Sequence, residues 1–129
     1  MIADALEALF ARCALLTELP LAWPERGFSP PEDGKYLRVD ISLNSPFWEG
    51  VASGRVDQGL LQATVIWPKG LGLIAPCAKA DEVIAHFHQG LRMRAGAATV
   101  KVAGAAYAMS PLTESGQVEV PVIIPWTAV

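Results

Sequence analysis

The chain has 129 residues, of which 52% are hydrophobic and only 18% charged, and its formal net charge is −3. This length predicts one domain over residues 1–129, and the negative charge argues against general affinity for nucleic acid. No apolar run is long enough to cross a bilayer, and Asp4, Glu7 and Arg12 interrupt any signal-peptide core, so we expect folding in the cytoplasm of the producing cell. Charged residues usually make up about 25% of a domain. The shortfall favours self-association through apolar surface over a lightly charged monomer.

The first predicted element is an amphipathic helix over residues 2–18. Acidic side chains lie in its first turns, where the helix dipole favours them. Its apolar positions recur at helical spacing: Ile2, Leu6, Leu9, Phe10, Cys13 and Leu16. Pro20 and Pro24 end this helix. Residues 19–35 are rich in proline, which predicts an ordered but irregular connector.

Two strands joined by a long loop are predicted next. Residues 36–43 alternate between apolar and polar side chains, and residues 59–67 place apolar side chains on one side. This is the pattern of half-buried strands, and we expect the two to pair as an antiparallel hairpin. Residues 44–58 break the periodicity and hold Phe47 and Trp48, so they are predicted to form the connecting loop.

A second helix is predicted over residues 73–88, where apolar side chains recur every three to four positions. Gly90 follows it as a C-terminal cap. Three short strands are predicted after that, at about residues 99–103, 105–109 and 117–125.

The last of these strands has two features of a sheet edge. Pro121 and Pro125 lack a backbone donor, which usually confines proline to edge strands. Apolar side chains share one side of the strand: Val118, Val120, Val122, Ile124 and Trp126.

Together these elements predict an α+β fold in the order α-β-β-α-β-β-β. We expect one mostly antiparallel or mixed β-sheet of about five strands, with two helices packed on it. The pattern contains no internal repeat and no low-complexity tail.

No catalytic, cofactor or metal site is predicted. His86 and His88 stand two positions apart, and on a helix such side chains diverge too far to share a metal ion. Residues 70–72 precede a helix but lack the glycine fingerprint and the Lys-Ser/Thr pair of a phosphate loop. Cys13 and Cys77 are predicted to be two buried thiols without a disulfide or a metal ion. One small basic patch is explained equally well by a solvated strand edge: Arg92, Arg94 and Lys101.

A set of segments carries a resemblance to a known family. They are Ala22-Trp23-Pro24, Phe28-Ser29-Pro30-Pro31, Tyr36-Leu37-Arg38-Val39, Gly59-Leu60-Leu61-Gln62, Pro68-Lys69-Gly70, Ala85-His86-Phe87 and Val120-Pro121-Val122-Ile123. In this order and spacing the chain resembles the phage tail terminator-like family of long-tailed bacteriophages and prophages, similar to the lambda-type tail terminator.

The resemblance implies a structural protein and not an enzyme, without cofactor or metal. Such a protein forms a ring, hexameric in the family, on the end of the finished tail tube. The ring stops tube polymerisation and offers a surface for head attachment. The implied partners are further copies of the chain, the major tail tube protein and the head-completion or connector protein. The implied location is the virion tail, after assembly in the cytoplasm of the bacterial host.

A ring requires each subunit to present two different patches to its two neighbours. The loop supplies one candidate patch: Phe47, Trp48, Val51 and Arg55. The last strand supplies the other: Val118, Val120, Val122 and Trp126. For the loop, an ordinary mobile connection with aromatics folded back on the core is an equal alternative.

Two other functions stay open at this stage. A head–tail joining (neck) protein of the same virion is also a small ring former. A small ligand-binding domain or hydrolase is a more remote alternative. It requires a concave pocket that brings Asp40 together with His86 or His88.

Overall fold

The structure is a computed structural model that describes residues 2–48 and 54–129. These residues form two helices and a large curled, mixed sheet of eight strands. The elements are α1 (Ile2–Cys13), β1 (Leu21–Ala22), β2 (Tyr36–Trp48), β3 (Arg55–Pro68), α2 (Ile74–His86), β4 (Arg92–Ala95), β5 (Ala98–Val102), β6 (Tyr107–Ala108), β7 (Leu112–Glu114) and β8 (Gln117–Ala128). The α+β prediction is confirmed, but the prediction of about five strands is wrong, because the short strands β1, β4 and β7 add to the sheet.

The sheet order is β1-β2-β3-β8-β5-β4, and β6 and β7 also pair with β8. The β1–β2 pair is parallel and the others are antiparallel. Strand β3 pairs with one side of β8 over the full length of β8. The other side of β8 is shared by β5, β6 and β7 in succession. The predicted edge strand is therefore wrong: β8 is a central strand.

The prolines that suggested an edge occupy the joints between these short strands. Pro125 lies between the stretches of β8 that pair with β5 and with β6, and Pro121 lies between those that pair with β6 and with β7. Their carbonyl oxygens accept bonds from the amides of Ala103 and Met109, at 2.9 and 2.8 Å. At these joints no neighbouring strand takes a hydrogen bond from a backbone N–H of β8. Proline, which lacks that N–H, is therefore tolerated in the middle of the sheet.

One face of β2, β3 and β8 is covered by the helices. Alternate side chains on that face are buried against them: Leu37, Val39, Leu61, Ala63, Val65, Trp67, Val118, Val120, Val122, Ile124 and Trp126. Helix α1 contributes Leu9 and Cys13, and α2 contributes Val83. Full burial of a Leu or Val side chain stabilises by about 1.5–3 kcal/mol, so this layer is the main source of stability.

Both helices are shorter than predicted, and their C-terminal ends are tied together. The Arg12 guanidinium Nη2 donates to the carbonyl oxygen of His86 at 2.8 Å, and the His86 ring Nε2 lies 2.7 Å from the carbonyl oxygen of Arg12. These contacts satisfy carbonyls that helix ends leave open. After Cys13 the amides of Leu15 and Leu16 bond three residues back, which tightens the last turn of α1.

The predicted hairpin of β2 and β3 is confirmed, but both strands extend into the predicted loop 44–58. Strand β2 continues to Trp48 and β3 begins at Arg55. A bulge between Asn44 and Phe47 adds one residue to β2, and it accommodates Pro46 within a paired strand. The extra residue shifts the alternation of side chains, which explains why the periodicity was lost in the sequence.

Candidate partner interface

The end of the β2–β3 hairpin extends beyond the part of β3 that pairs with β8. Strand β8 pairs with β3 only as far as Asp57, so the paired residues beyond that point have no partner in β8. We call residues 43–48 and 54–57 the distal hairpin. Phe47 is 40% exposed and Trp48 is 66% exposed. Large apolar side chains at this level of exposure mark a surface that suits a partner.

Two polar contacts hold the distal hairpin in shape. The Arg55 Nε donates to the Asp57 Oδ1 at 2.9 Å, and the Asp57 side chain is only 4% exposed. The Gln58 Nε2 donates to the carbonyl oxygen of Ser45 in the bulge, at 2.8 Å. A nearly buried carboxylate requires a charged or hydrogen-bonding partner. Arg55 therefore has a structural role in addition to any contact that it makes with a partner.

The structure divides the residues predicted for the interface into three groups. Phe47, Trp48 and Arg55 lie on the surface of the distal hairpin, so their interface role stays a proposal. Val51 lies outside the described residues. The remaining four are buried in the core beneath the helices: Val118, Val120, Val122 and Trp126. The prediction that these four residues form a surface patch is corrected, because β8 is a central strand and their side chains face the core.

A second exposed apolar surface lies at the opposite end of the strands. The amide of Lys69 bonds the carbonyl oxygen of Gly116 at 3.2 Å, which joins the end of β3 to the β7–β8 turn. Exposed side chains gather at this end: Leu71, Leu73, Ile74 and Leu112. Ile74 is 85% exposed. We call these four residues the far-end surface. This surface was not predicted from the sequence. The signal that could have revealed it is that Leu71 and Ile74 are apolar but fall outside the apolar stripe of α2.

The edge strand β4 carries a group of like charges. Arg92 lies directly opposite Lys101 of β5, and Arg94 follows on the same face. All three side chains are exposed, and none of them forms a salt bridge to another described residue. Like charges directly opposite each other destabilise a strand pair. We call Arg92, Arg94 and Lys101 the basic edge.

The sheet face away from the helices carries a polar network. The Arg38 guanidinium lies 3.0 Å from Glu119 Oε1 and 3.4 Å from Asp40 Oδ2. Burial lowers the pKa of Arg38, but the hydrogen bond and charge of Glu119, with those of Asp40, outweigh it, so the pKa is raised. Asp40 is therefore an ion-pair partner of Arg38 within the sheet.

The predicted alternatives based on chemistry find no support in the geometry. A groove of about 190 Å³ lies beside the end of α1 and includes Lys79 and Leu37, but Asp40 and the two histidines do not line it. His88 lies beyond the end of α2, and His86 is bonded to α1. Over residues 2–48 and 54–129, no group of three His, Cys, Asp or Glu side chains is placed to hold a metal ion. Within the same ranges, no helix combines the length and apolar character that a bilayer crossing requires.

A sequence profile for phage tail terminator proteins matches residues 1–126. The chain belongs to the phage tail terminator protein family. This tail terminator family member is therefore a structural protein of the phage tail and not an enzyme, and its location is the virion. The predicted resemblance is confirmed.

A solved structure of another protein shares the fold of this tail terminator family member. The TM-score is 0.80 at 26% sequence identity, and the match covers 95% of this chain and 92% of the other. No curated protein matches the chain significantly. The family assignment therefore depends on the profile, and the solved structure supports the fold.

Proposed function

We propose that this protein caps the phage tail tube as a ring of identical subunits, hexameric as in the family resemblance. The ring stops tube polymerisation and offers the surface to which the head attaches. Membership of the tail terminator family is the observation that carries this proposal. It also implies contact with other tail or head components.

The shape of the subunit supports the proposal. The distal hairpin and the far-end surface lie at opposite ends of β3, which spans Arg55–Pro68. At about 3.4 Å per residue, these ends are roughly 40 Å apart along the strand. If the strands run along the axis of the tail, one end of every subunit faces the tube and the other faces the head. The two ends carry different side chains.

Termination follows from this difference between the ends. A ring whose two faces are identical would accept another layer of tube protein on either side. A ring of head-to-tail contacts keeps all subunits pointing the same way, so the face that binds the tube is not repeated on the other side. The tube protein therefore has no matching surface on which to continue.

The test is electron microscopy of the cognate tail tube protein as it polymerises, with and without substoichiometric amounts of this protein. We expect shorter tubes that end in a ring. Tubes of unchanged length without end density would contradict capping. Ring density on the head connector in place of the tube would favour the neck-protein function.

A shortened hairpin provides the matched variant for this assay. Replacing residues 46–54 with Asn-Gly leaves a four-residue connection between Ser45 and Asp57, a length that hairpins adopt, and removes the exposed aromatic pair. The core residues of the sheet lie outside the replaced segment, so the variant should fold. We expect it to lose capping; full capping by this variant would remove the distal hairpin from the mechanism.

A further inference from the structure

We propose that the distal hairpin of one subunit packs across the basic edge of the next subunit in the ring. The proposal rests on the proposed ring and names the residues that would join its subunits. The occupant of the basic edge is thus a second copy of this chain.

The register of the sheet places the two surfaces at the same level. One row of paired residues crosses the sheet from edge to edge: Asn44, Gln58, Thr127, Lys101 and Arg92. Further along the same direction, Phe47 pairs with Val56 on one side of the sheet and Arg94 pairs with Thr99 on the other. Phe47 and Arg94 therefore lie at equal height on opposite edges and on the same face of the sheet, whereas Trp48 lies one residue further along and on the other face.

Equal height matters because of the symmetry of a ring. Rotation about an axis that runs along the strands moves each subunit sideways without raising or lowering it. The left edge of one subunit then meets the right edge of its neighbour at the same level. Such contacts are head-to-tail, as ring closure requires.

Both edges are open for this contact. Strand β4 is the last strand on its side of the sheet, and β2 pairs with β1 only at Leu37 and Arg38. In the described part of the chain, no strand covers β2 beyond Arg38. Both strands point the same way within the sheet, so the contact would join them side by side in parallel.

The side chains at the two edges are chemically matched. Arginine guanidinium groups pack over the faces of Trp and Phe rings, and this attraction grows when water is excluded. Arg92 and Arg94 are exposed and form no salt bridge among the described residues, whereas Arg55 is already held by Asp57. An aromatic neighbour would also offset the repulsion between Arg92 and Lys101.

Disulfide trapping tests the contact without the tube protein. In a Cys77→Ala background, Asn44→Cys and Arg92→Cys are made in separate chains, which keeps Phe47 and Arg94 intact. The two chains are mixed and oxidised, and the products are separated by non-reducing electrophoresis. Random pairing of equal amounts gives twice as much heterodimer as either homodimer, and one cation–π contact at an interface adds a preference of roughly fivefold, so we expect a ratio of roughly ten.

Second-site changes on the same pair decide whether the named side chains are responsible. Adding Phe47→Ala to the first chain, or Arg94→Gln to the second, should reduce the heterodimer yield roughly fivefold. Arg26→Gln changes an exposed arginine outside the basic edge, beside Phe10 and Trp23, and should leave the yield unchanged.

A heterodimer yield of only about twice either homodimer, as random pairing gives, would overturn the contact and leave the tube protein or the head connector as the occupant of the distal hairpin. An unchanged yield with Phe47→Ala and with Arg94→Gln would overturn it as well. Selective heterodimers together with tubes of unchanged length would support this contact while removing the capping function. The two proposals therefore fail independently.

Discussion

Gly59 of β3 lies directly opposite Trp126 of β8, and the absence of a side chain at Gly59 is what lets the indole pack there. A Cβ atom at position 59 would lie 2.8 Å from the Trp126 Cζ2 and closer still to the carbonyl oxygen of Ser42. Trp126 is almost completely buried. The glycine is therefore a packing requirement of the central strand pair, at the base of the distal hairpin.

Gly59→Ala should lower the free energy of unfolding by about 1–3 kcal/mol, because the added methyl group collides with a backbone atom and a buried ring that cannot both move. Urea denaturation followed by tryptophan fluorescence measures the change. Gly27→Ala is the control, since nothing lies within 4 Å of a Cβ at that position. Equal stabilities of the two variants would contradict the packing argument.

Arg55 and Trp48 should differ in what their loss does to the protein. Arg55→Ala leaves the nearly buried Asp57 carboxylate without its ion pair and should destabilise by about 1–3 kcal/mol. Trp48→Ala removes a side chain that is mostly exposed and should change stability by less than about 0.5 kcal/mol. Thermal and urea unfolding of both variants measure the contrast. If both variants unfold like the parent, Arg55 has no structural role.

Local patterns explain how far the fold could be predicted. The alternation in β2 and β3 and the helical stripe around Val83 follow directly from burial on one face, so these elements were predicted correctly. The position of β8 could not be predicted, because Pro121 signals an edge unless one knows that β6 and β7 meet beside it. Local sequence does not contain that long-range relationship.

The candidate site was predictable only in part, for a related reason. The break in periodicity drew attention to Phe47 and Trp48, which are exposed in the structure. The buried set led by Val120 was misassigned, because an apolar alternation looks the same in a central strand and in an apolar edge. The basic edge became meaningful only through the register that places Arg92 level with Asn44.

Burial raises the pKa of the Cys13 thiol from 9.0 to about 12. Between these values the unfolded chain loses the thiol proton while the folded chain keeps it, so stability should fall as pH rises from 9 to 12. Cys13→Ala should show a shallower decline over that range, and Cys77→Ala, which retains the buried thiol, should not. Urea denaturation at several pH values measures the slopes. Parallel declines for the parent and Cys13→Ala would contradict the assignment.

Ile74→Glu should leave the fold intact and weaken assembly at the far end of the subunit. Ile74 is among the most exposed apolar side chains described, so its replacement should change stability by less than about 0.5 kcal/mol. A charge in a desolvated apolar contact is strongly unfavourable, so tube capping or head attachment should be lost.

Two measurements separate this effect from a general one. Ala85→Glu adds the same charge at the other end of α2, where the side chain is also exposed, and should keep assembly. Disulfide trapping between Asn44→Cys and Arg92→Cys should be unaffected by Ile74→Glu. Normal tube capping and normal head attachment with Ile74→Glu would show that the far-end surface has no partner.

The central place of β8 has a consequence for synthesis on the ribosome. The β2–β3 hairpin joins neighbouring segments, but β3 must wait for residues 117–128 before its other side is paired. Until then the nascent chain exposes an unpaired edge of β3, and β5, β6 and β7 lack their shared partner. Contacts between distant segments are slow to form, and unpaired edges aggregate. The subunit therefore matures late, once β8 has emerged, and only then has two finished edges to offer to its neighbours.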